Sequence, residues 1–378
     1  MNYIRDFLNA LAVNICVCIK GDFEEGVQDP NILGNTALRR LDRKSVTPSL
    51  KNIPKLTPAQ RSELRRFYAP YVRNVTDRYH RLYTDKTGVF DPRYIPEELF
   101  FTRIDRFYSD REEARFLDNK CYYYRLFSEI KQPGLVVMRV GDSYLDHTLS
   151  LIGEDTAAAL VGCQDEVVLK RAVNSQGGYG VEFCSGRELS RRFHEIMRAV
   201  DGDVVIQLPV RQHSAYARLH PESVNTMRIV SLLCDDCVKV YAVCLKIGVG
   251  QERRDNGCHG GIYCGVERDG RLKKRATLDN GTVLFSHPEL GYRFEDITLP
   301  CVDKAVALVE RAHPQMGHFR LISWDVAIDE DGEAVLIEAN LSLGGINNVQ
   351  ICNGPLFGDD TEKILDEVFL RHPKRGKV

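Results

Sequence analysis

The chain has 378 residues, of which 43% are apolar and 28% charged, with a formal net charge of −2. That is the make-up of a soluble globular protein with room for two domains, or for one large domain and an appended segment. The near-balanced charge offers no general attraction for nucleic acid or a membrane surface, so neither is expected as a partner.

The first apolar run, Phe7 to Ile19, is interrupted by Asn9 and Asn14 and is too short to cross a bilayer. It lacks a basic start and a small-residue cleavage site, so it reads as an amphipathic helix rather than a leader, and no transmembrane segment is expected. The 12 cysteines are scattered. They are expected to be reduced, mostly buried thiols of a cytoplasmic protein.

Thr57-Pro58-Ala59-Gln60 combines an N-cap, a proline at the first helical position and the Gln of a capping box. Leu64, Phe67, Tyr68, Tyr71, Val72, Val75, Tyr79 and Leu82 follow at helical spacing and predict one helix running to about His80. Arg61, Arg65, Arg66, Arg73, Arg78 and Arg81 are interleaved with them, diluted by Glu63, Asp77 and Asp85. This is the pattern of a solvated basic face. Residues 1–112 therefore form a mainly helical N-terminal region.

Beyond residue 112 strands and helices alternate. A helix over Asn119–Ile130, with Lys120 near its start, is stopped by Gln132-Pro133-Gly134. The strand Leu135–Val140 follows, then a loop holding Asp142, Asp146 and His147. The strand Glu166–Arg171 carries Lys170 and runs into Asn174-Ser-Gln-Gly-Gly-Tyr-Gly180. Glycines let backbone N–H groups approach phosphate oxygens, and a lysine at a strand end supplies a point charge. The segment is neither a Walker A motif nor a GxGxxG fingerprint, and glycine-rich turns between strands are commonplace.

A helix over Glu188–Val200 and a strand over Val204–Val210 come next. His213 and His220, in the loop Arg211–Ser223, serve equally well as structural residues. Strands Thr226–Leu233 and Val238–Ile247 flank Cys234-Asp-Asp-Cys237. That spacing suggests zinc, but Cys258, Cys264 and His259 make no familiar second pair, and a hairpin turn explains it better. A strand near 261–267, a helix over Val302–Ala312 and a closing helix over Thr361–Leu370 complete the order. The several antiparallel hairpins disfavour a Rossmann fold.

The most informative stretch is Ser323–Asn340, SWDVAIDEDGEAVLIEAN. Two alternating apolar runs flank Asp331-Gly332, a dipeptide favoured in two-residue hairpin turns. Pairing Glu330 with Glu333 brings Asp325 opposite Glu338, with Cβ atoms roughly 5 Å apart. Asn340 falls on the same face. Trp324, Val326, Ile328, Val335, Ile337 and Ala339 fall on the other, suited to a core. Facing carboxylates repel unless a cation lies between them or one is protonated. An acidic wet face on an ordinary hairpin explains the pattern as well as a Mg²⁺ site does.

Taken in order, Lys120, Lys170 with its glycine loop, Gln207-Leu208-Pro209 and Asp325…Glu338-x-Asn340 resemble the ATP-grasp superfamily. The wording SVNTMRIVS, LKIGVG, DNGCHGGI, LFSHPELG, SWDVAIDEDG and VLIEAN is similar to its sugar-transfer-associated branch, over roughly residues 95–355. The resemblance implies an α/β fold of α+β character, an ATP-grasp domain over 113–378. Within it, 113–206 would be the lysine and glycine-loop subdomain and 207–378 the metal-binding subdomain. It implies ATP and Mg²⁺ as cofactors. Lys120 and Lys170 would hold the phosphates under a lid containing Gly177, Gly178 and Gly180. Gln207 and the Leu208 backbone would read adenine, and Asp325, Glu338 and Asn340 would bind Mg²⁺. Arg228 and Lys246 would meet the γ-phosphate or an acyl phosphate, and Asn256 would lie near the acceptor with Gly260 and Gly261.

The implied reaction is carboxylate activation as an acyl phosphate, opened by an amine or hydroxyl acceptor, with a sugar-linked acceptor among the candidates. A kinase of the same fold and a non-catalytic nucleotide-binding scaffold are the alternatives. Three positions depart from the family's pattern. Ser323 replaces a frequent arginine, which shifts that role to Arg228 or Arg320. Lys246 stands where arginine is usual, losing bidentate geometry. Gln207 is neutral where glutamate is frequent. The N-terminal hundred residues also do not read as the usual α/β domain that precedes an ATP-grasp core.

Overall fold

The structure is a computed structural model that describes residues 52–173, 180–255, 257–342 and 344–371. The Phe7–Ile19 helix, Gly177, Gly178 and Asn256 lie outside the described residues. The chain divides into two compact units, 52–107 with 357–371, and 108–356. Among the described residues no helix is long and apolar enough to cross a membrane.

In the first unit, α1 (Pro58–Tyr68) starts with the expected capping box: the Gln60 N–H donates to Thr57 Oγ1 and the Thr57 N–H to Gln60 Oε1. The helix does not run on to His80. It ends at Tyr68, and α2 (Arg78–Thr87) begins after a break. Pro70 is the physical reason, since it has no N–H to donate back along the helix. The aromatic periodicity survives the break because both helices bury the same kind of face. Tyr68, Tyr79, His80, Tyr83 and Tyr94 are all buried together, with the Tyr68 hydroxyl donating to the Tyr94 carbonyl at 2.7 Å. Burial pushes the His80 imidazole down to about 4, so it is neutral at pH 7. Arg65, Arg66 and Arg73 are exposed, while Arg61 and Arg81 donate to the carbonyls of Leu56, Ile53 and Pro54. The closing helix belongs to this unit too, where the Tyr71 hydroxyl donates to Asp366 at 2.9 Å.

The second unit is built on two antiparallel sheets. The first comprises β1 (Leu135–Val140), β2 (Ser143–Asp146), β3 (Leu151–Ile152), β4 (Glu166–Arg171), β5 (Val181–Ser185) and β6 (Val204–Gln207), in the spatial order β3-β2-β1-β6-β4-β5. One face of this sheet packs Val167, Leu169, Val204 and Ile206 against Ala157, Val161, Leu189, Phe193 and Met197 of the intervening helices. The other face holds Met138 and Val205 against Cys121 of α3 (Lys120–Leu126). Strand alternation puts Val168 and Lys170 on this α3 side.

The second sheet comprises β7 (Met227–Leu233), β8 (Val238–Ile247), β9 (Ile262–Val266), β10 (Leu272–Leu278), β11 (Val283–Leu284), β12 (Leu321–Ile328) and β13 (Ala334–Asn340). Its order is β11-β10-β9-β8-β7-β12-β13. Cys234-Asp-Asp-Cys237 is the turn between β7 and β8, closed by the Cys234 N–H donating to the Cys237 carbonyl at 2.8 Å, and both thiols are free. One face buries Ile229, Leu245, Ile262, Trp324, Val326 and Leu336 beneath the helix Val302–Ala312. The opposite face carries Arg228, Lys246 and Asp325, and the helix Asn347–Asn353 packs on part of it, against Cys244 and Gly265.

The β12–β13 hairpin reaches the expected pairing by an unexpected route. Asp325 does lie opposite Glu338, yet Ile328 pairs with Ala334 rather than Val335, and a bulge lies between Asp325 and Val326. The loop is Glu330-Asp331-Gly332, closed by the Gly332 N–H donating to the Asp329 carbonyl and the Glu333 N–H to Asp329 Oδ1, both within hydrogen-bonding reach. Gly332 has φ +74°, the left-handed geometry that ends a three-residue hairpin loop. One residue more in the loop and one more in the bulge cancel each other. Between the two irregularities the faces are exchanged, so Ala334 and Leu336 enter the core cluster in place of Val335 and Ile337. Gly332→Ala is expected to cost about 1–2 kcal/mol, read as a lower melting temperature with nucleotide affinity retained.

Candidate functional site

Two structural elements bring the first charged groups together. Asn119 caps α3 by accepting the Cys121 N–H at 3.0 Å, and its amide donates to Asp203 at 2.6 Å. The Lys120 N–H donates to the Ala172 carbonyl at 3.0 Å, which ties the helix start to the end of β4. So anchored, the buried Lys120 ammonium donates to Glu338 Oε1 at 2.7 Å. Burial alone would lower the Lys120 pKa, but Glu338 and Asp118 outweigh it and leave the group above the ordinary lysine range.

Lys170 lies half-buried on the same side of its sheet and makes no hydrogen bond to any described residue. Burial, then the Lys120 charge, depresses its ammonium to about 8. Asp118 moves the other way. Burial lifts its carboxyl to about 6, with Lys120 opposing and Glu338 assisting.

The polar face of the second sheet supplies the rest. Arg228 on β7 pairs directly with Asp325 on β12, and its Nε and Nη2 donate to the two carboxylate oxygens at 2.6 and 3.0 Å. Lys246 on β8 reaches Asp325 Oδ2 at 3.2 Å. Asp325 is 3% exposed, so this bidentate pair is largely sheltered from water. Burial would raise the Asp325 carboxyl, yet Arg228 and Lys246 hold it at about 2. The Arg228 guanidinium is correspondingly raised, Asp325 outweighing the effect of burial. Arg320 stands elsewhere, donating to the Leu233 carbonyl and lying over the Tyr108 ring. Of the two arginines that could stand in for the one missing at Ser323, Arg228 is the one at the cluster.

Two anionic side chains on one hairpin thus each meet a cation: Asp325 meets Arg228 and Lys246, and Glu338 meets Lys120. The Asn340 amide nitrogen donates to the Ser323 carbonyl at 3.0 Å and lies 3.5 Å from Asp325 Oδ2. Glu338 Oε2 and the Asn340 amide oxygen have no partner among the described residues. Among those residues no three His, Cys, Asp or Glu side chains gather as a metal site. Two carboxylates and an amide oxygen still suit Mg²⁺, which takes one or two carboxylates and completes its shell with water and substrate phosphate.

Gln207 is buried beside this region. Its amide nitrogen donates to the Tyr124 hydroxyl, and its Oε1 is buried without a partner. Gln207 pairs with Val168, two residues before Lys170, so Gln207 and Lys170 share a face of the sheet. The Leu208 N–H is already donated to the Gly134 carbonyl at 2.7 Å. Gly180 has φ +69° and returns the chain to β5, its carbonyl accepting the Arg171 N–H at 3.1 Å.

Three further groups join the cluster without having been singled out in the sequence. Asp255 accepts the Thr226 N–H at 2.8 Å and the Thr226 hydroxyl on Oδ2, and lies 3.8 Å from Lys246. Burial raises its carboxyl, against Lys246 and Thr226. Tyr263 pairs with Lys246 across β8 and β9, and burial raises its phenol. Asp118 completes the set. The signal for Asp255 was its place beside Asn256; an isolated loop carboxylate has no periodicity to mark it.

A family model described as sugar-transfer associated ATP-grasp matches residues 100–364. No curated protein matches the sequence. Among solved structures, an L-amino acid ligase from Bacillus licheniformis aligns at 16% identity and TM-score 0.35, over 67% of this chain and 48% of its own. An N5-carboxyaminoimidazole synthase from Aspergillus clavatus, in complex with ADP and 5-aminoimidazole ribonucleotide, aligns at 10% and 0.41, over 68% and 54%. The VanG D-Ala:D-Ser ligase from Enterococcus faecalis aligns at 12% and 0.41, over 69% and 63%. The chain spans about half the length of the first two. At these identities and TM-scores the neighbours bear on neither activity nor substrate.

Proposed function

The chain belongs to the sugar-transfer-associated ATP-grasp family, and from that premise we propose that it binds ATP with Mg²⁺ and activates a carboxylate for joining to an amine or hydroxyl. The observation that carries this reading is the gathering of Lys120, Arg228 and Lys246 around Asp325 and Glu338, with Lys170 on the α3 side of the first sheet. Phosphoryl transfer needs charge neutralisation and in-line positioning more than covalent help, and these cations would supply the charge that faces the phosphates.

Asp325, Glu338 and Asn340 are the residues that would hold Mg²⁺, which when bound neutralises phosphate charge and orients the transferring group. Lys120 and Lys170 take the phosphate oxygens. Arg228 keeps Nη1 without a described partner while its other donors grip Asp325, so it has a donor to spare for the transferring phosphoryl group. The orphaned Gln207 Oε1 suits the amino group of adenine. The Leu208 N–H is occupied, so backbone reading of the base falls to its carbonyl. Gly177, Gly178 and Gly180 belong to the loop expected over the phosphates, and Asn256 to the acceptor side. An oxygen of the substrate carboxylate attacks the γ-phosphorus and the bond to ADP breaks. The acceptor's lone pair then displaces phosphate from the acyl carbon, and its proton passes to solvent. No Ser, Cys or His nucleophile is required. The family's description makes a sugar-linked amine or hydroxyl the first acceptor class to try. An ATP-consuming reaction and free cysteine thiols fit the cytoplasm.

Hydroxamate trapping with a panel of carboxylates tests the proposal. An acyl hydroxamate formed with ADP supports the ligase. A stable phosphorylated product would make it a kinase, and nucleotide binding without turnover a scaffold.

Lys170 gives a pH-dependent test. In the free protein its ammonium is half deprotonated near pH 8, below the usual range near 10.4. Phosphate binding requires the charged form. MgADP affinity is therefore expected to fall as pH rises above about 8, by at most about tenfold per unit. Lys170→Ala should weaken binding by about 10–100-fold and flatten that slope. Calorimetry over pH 7–10 reads both, and an unchanged affinity counts against the assignment. Folding stability carries the opposite sign: the unfolded chain keeps this proton longer, so Lys170 makes stability rise with pH over the same window.

A further inference from the structure

The segment that follows β8 is fastened to both sheets within three residues. Arg253 donates through Nη1 and Nη2 to the two oxygens of Glu166 at 2.6 and 3.0 Å. Its guanidinium carbon also lies 3.8 Å from the centre of the Phe183 ring. Glu166 opens β4 and Phe183 sits in β5, opposite Val168. Strand alternation places Glu166, Val168 and Lys170 on one face, so Arg253 grips the hairpin on the face that bears Lys170. Two residues later Asp255 is bound by the Thr226 N–H and hydroxyl and lies 3.8 Å from Lys246. With one residue between them, the two anchors are no more than about 7 Å apart along the chain.

The segment is also held from behind. The Gly250 N–H donates to Glu289 at 2.8 Å and the Gly250 carbonyl meets His220 Nε2 at 2.9 Å. Tethering at both ends makes it a strut. The contact at the hairpin is of a kind that a routine surface ion pair is not: two parallel charge-assisted hydrogen bonds plus a ring stacked against the same guanidinium.

We propose that residues 253–255 form a strut that fixes the β4–β5 hairpin relative to the Lys246–Asp325 cluster, with Arg253 as a positioning residue for Lys170. Arg253 touches no reacting group in this scheme. It sets how far the Lys170 ammonium stands from the groups on the second sheet, and through that distance the affinity for nucleotide phosphates. The nucleotide arm of this inference rests on the ATP reading; the hairpin arm does not.

The test uses the full chain with Arg253→Met, Glu166→Gln and both together. In nucleotide-free protein, amide hydrogen exchange over Val181–Ser185 should be about three- to tenfold faster in Arg253→Met, while exchange in β12 and β13 stays as in the parent. The MgADP dissociation constant should rise by a similar factor in each single variant. The double variant should be no weaker than the worse single one, because both remove the same contact. Unchanged hairpin exchange in Arg253→Met overturns the strut, as do additive effects on MgADP binding. A parent chain that binds no MgADP overturns the nucleotide reading instead, and hairpin exchange then decides the strut alone.

Discussion

Glu338→Gln is expected to remove Mg²⁺-dependent ATP turnover, by on the order of 10²–10³-fold in kcat. Gln keeps the shape of the side chain and can still accept the Lys120 proton, whose donor lies 2.7 Å from Glu338 Oε1. What disappears is the negative charge, and with it a hard ligand for the cation. Lys120, 8% exposed, then faces a neutral partner, with half-buried Asp118 and, more weakly, Asp325 as nearby carboxyls. Loss of charge from this hydrogen bond should cost about 1–3 kcal/mol of stability, a modest shift in melting temperature. Release of ADP as a function of Mg²⁺ concentration, alongside a thermal melt, separates the two effects. Parental turnover in a folded variant would remove Glu338 from the metal site.

Asp325→Asn is expected to act on stability as much as on activity. Asp325 neutralises Arg228 and Lys246 at once, and at 3% exposure it does so away from water. Removing its charge leaves the largely buried Arg228 without its carboxylate and Lys246 with only the more distant Asp255, a change worth about 3–5 kcal/mol, or on the order of 10 °C in melting temperature. The pH profile carries a matching signature. Arg228 and Lys246 hold the native carboxyl at about 2, whereas it titrates near 3.9 in an unfolded chain. A depressed carboxyl stabilises the fold above pH about 4, and that contribution is lost as pH falls through 2. It amounts to about 2–3 kcal/mol. The Asn variant should lack this part of the acid limb. A variant as stable as the parent at pH 7, with the same acid limb, would contradict the pairing.

Much of this site was legible because hairpins obey simple counting. The alternation in Ser323–Asn340 is enough to put Asp325, Glu338 and Asn340 on one face. The counting nevertheless ran through the wrong turn, since Asp331-Gly332 suggested two loop residues. Three are used, and the bulge near Asp325 restores the register. Local turn preference lost to the packing of Ala334 and Leu336 into the core, a tertiary effect that a dipeptide cannot encode. The single long helix expected from Thr57 to about His80 failed for a local reason that was visible: Pro70 lies inside its periodicity.

Lys246 illustrates a different limit. From sequence it stood out as a departure from arginine. In the fold its ammonium bridges Asp325 and Asp255 at 3.2 and 3.8 Å, a role for which a point charge suffices. Asp255, Asp118 and Arg253 stayed hidden because each lies outside a regular strand, where only tertiary structure says what it meets. Lys120 and Lys170 were marked by motif order, but their unequal proton affinities arise from tertiary structure: Glu338 and Asp118 outweigh burial at Lys120, whereas burial and the Lys120 charge prevail at Lys170.

Anomalous scattering from crystals grown with ADP and Mn²⁺, a close substitute for Mg²⁺, puts the site to its most direct trial. The expected result is a peak within about 2.3 Å of oxygens from Glu338 and from Asp325 or Asn340. The ADP phosphates should extend from it toward Lys120 and Lys170. A metal peak bound to other residues, or a nucleotide lying away from both lysines, would contradict the site as drawn.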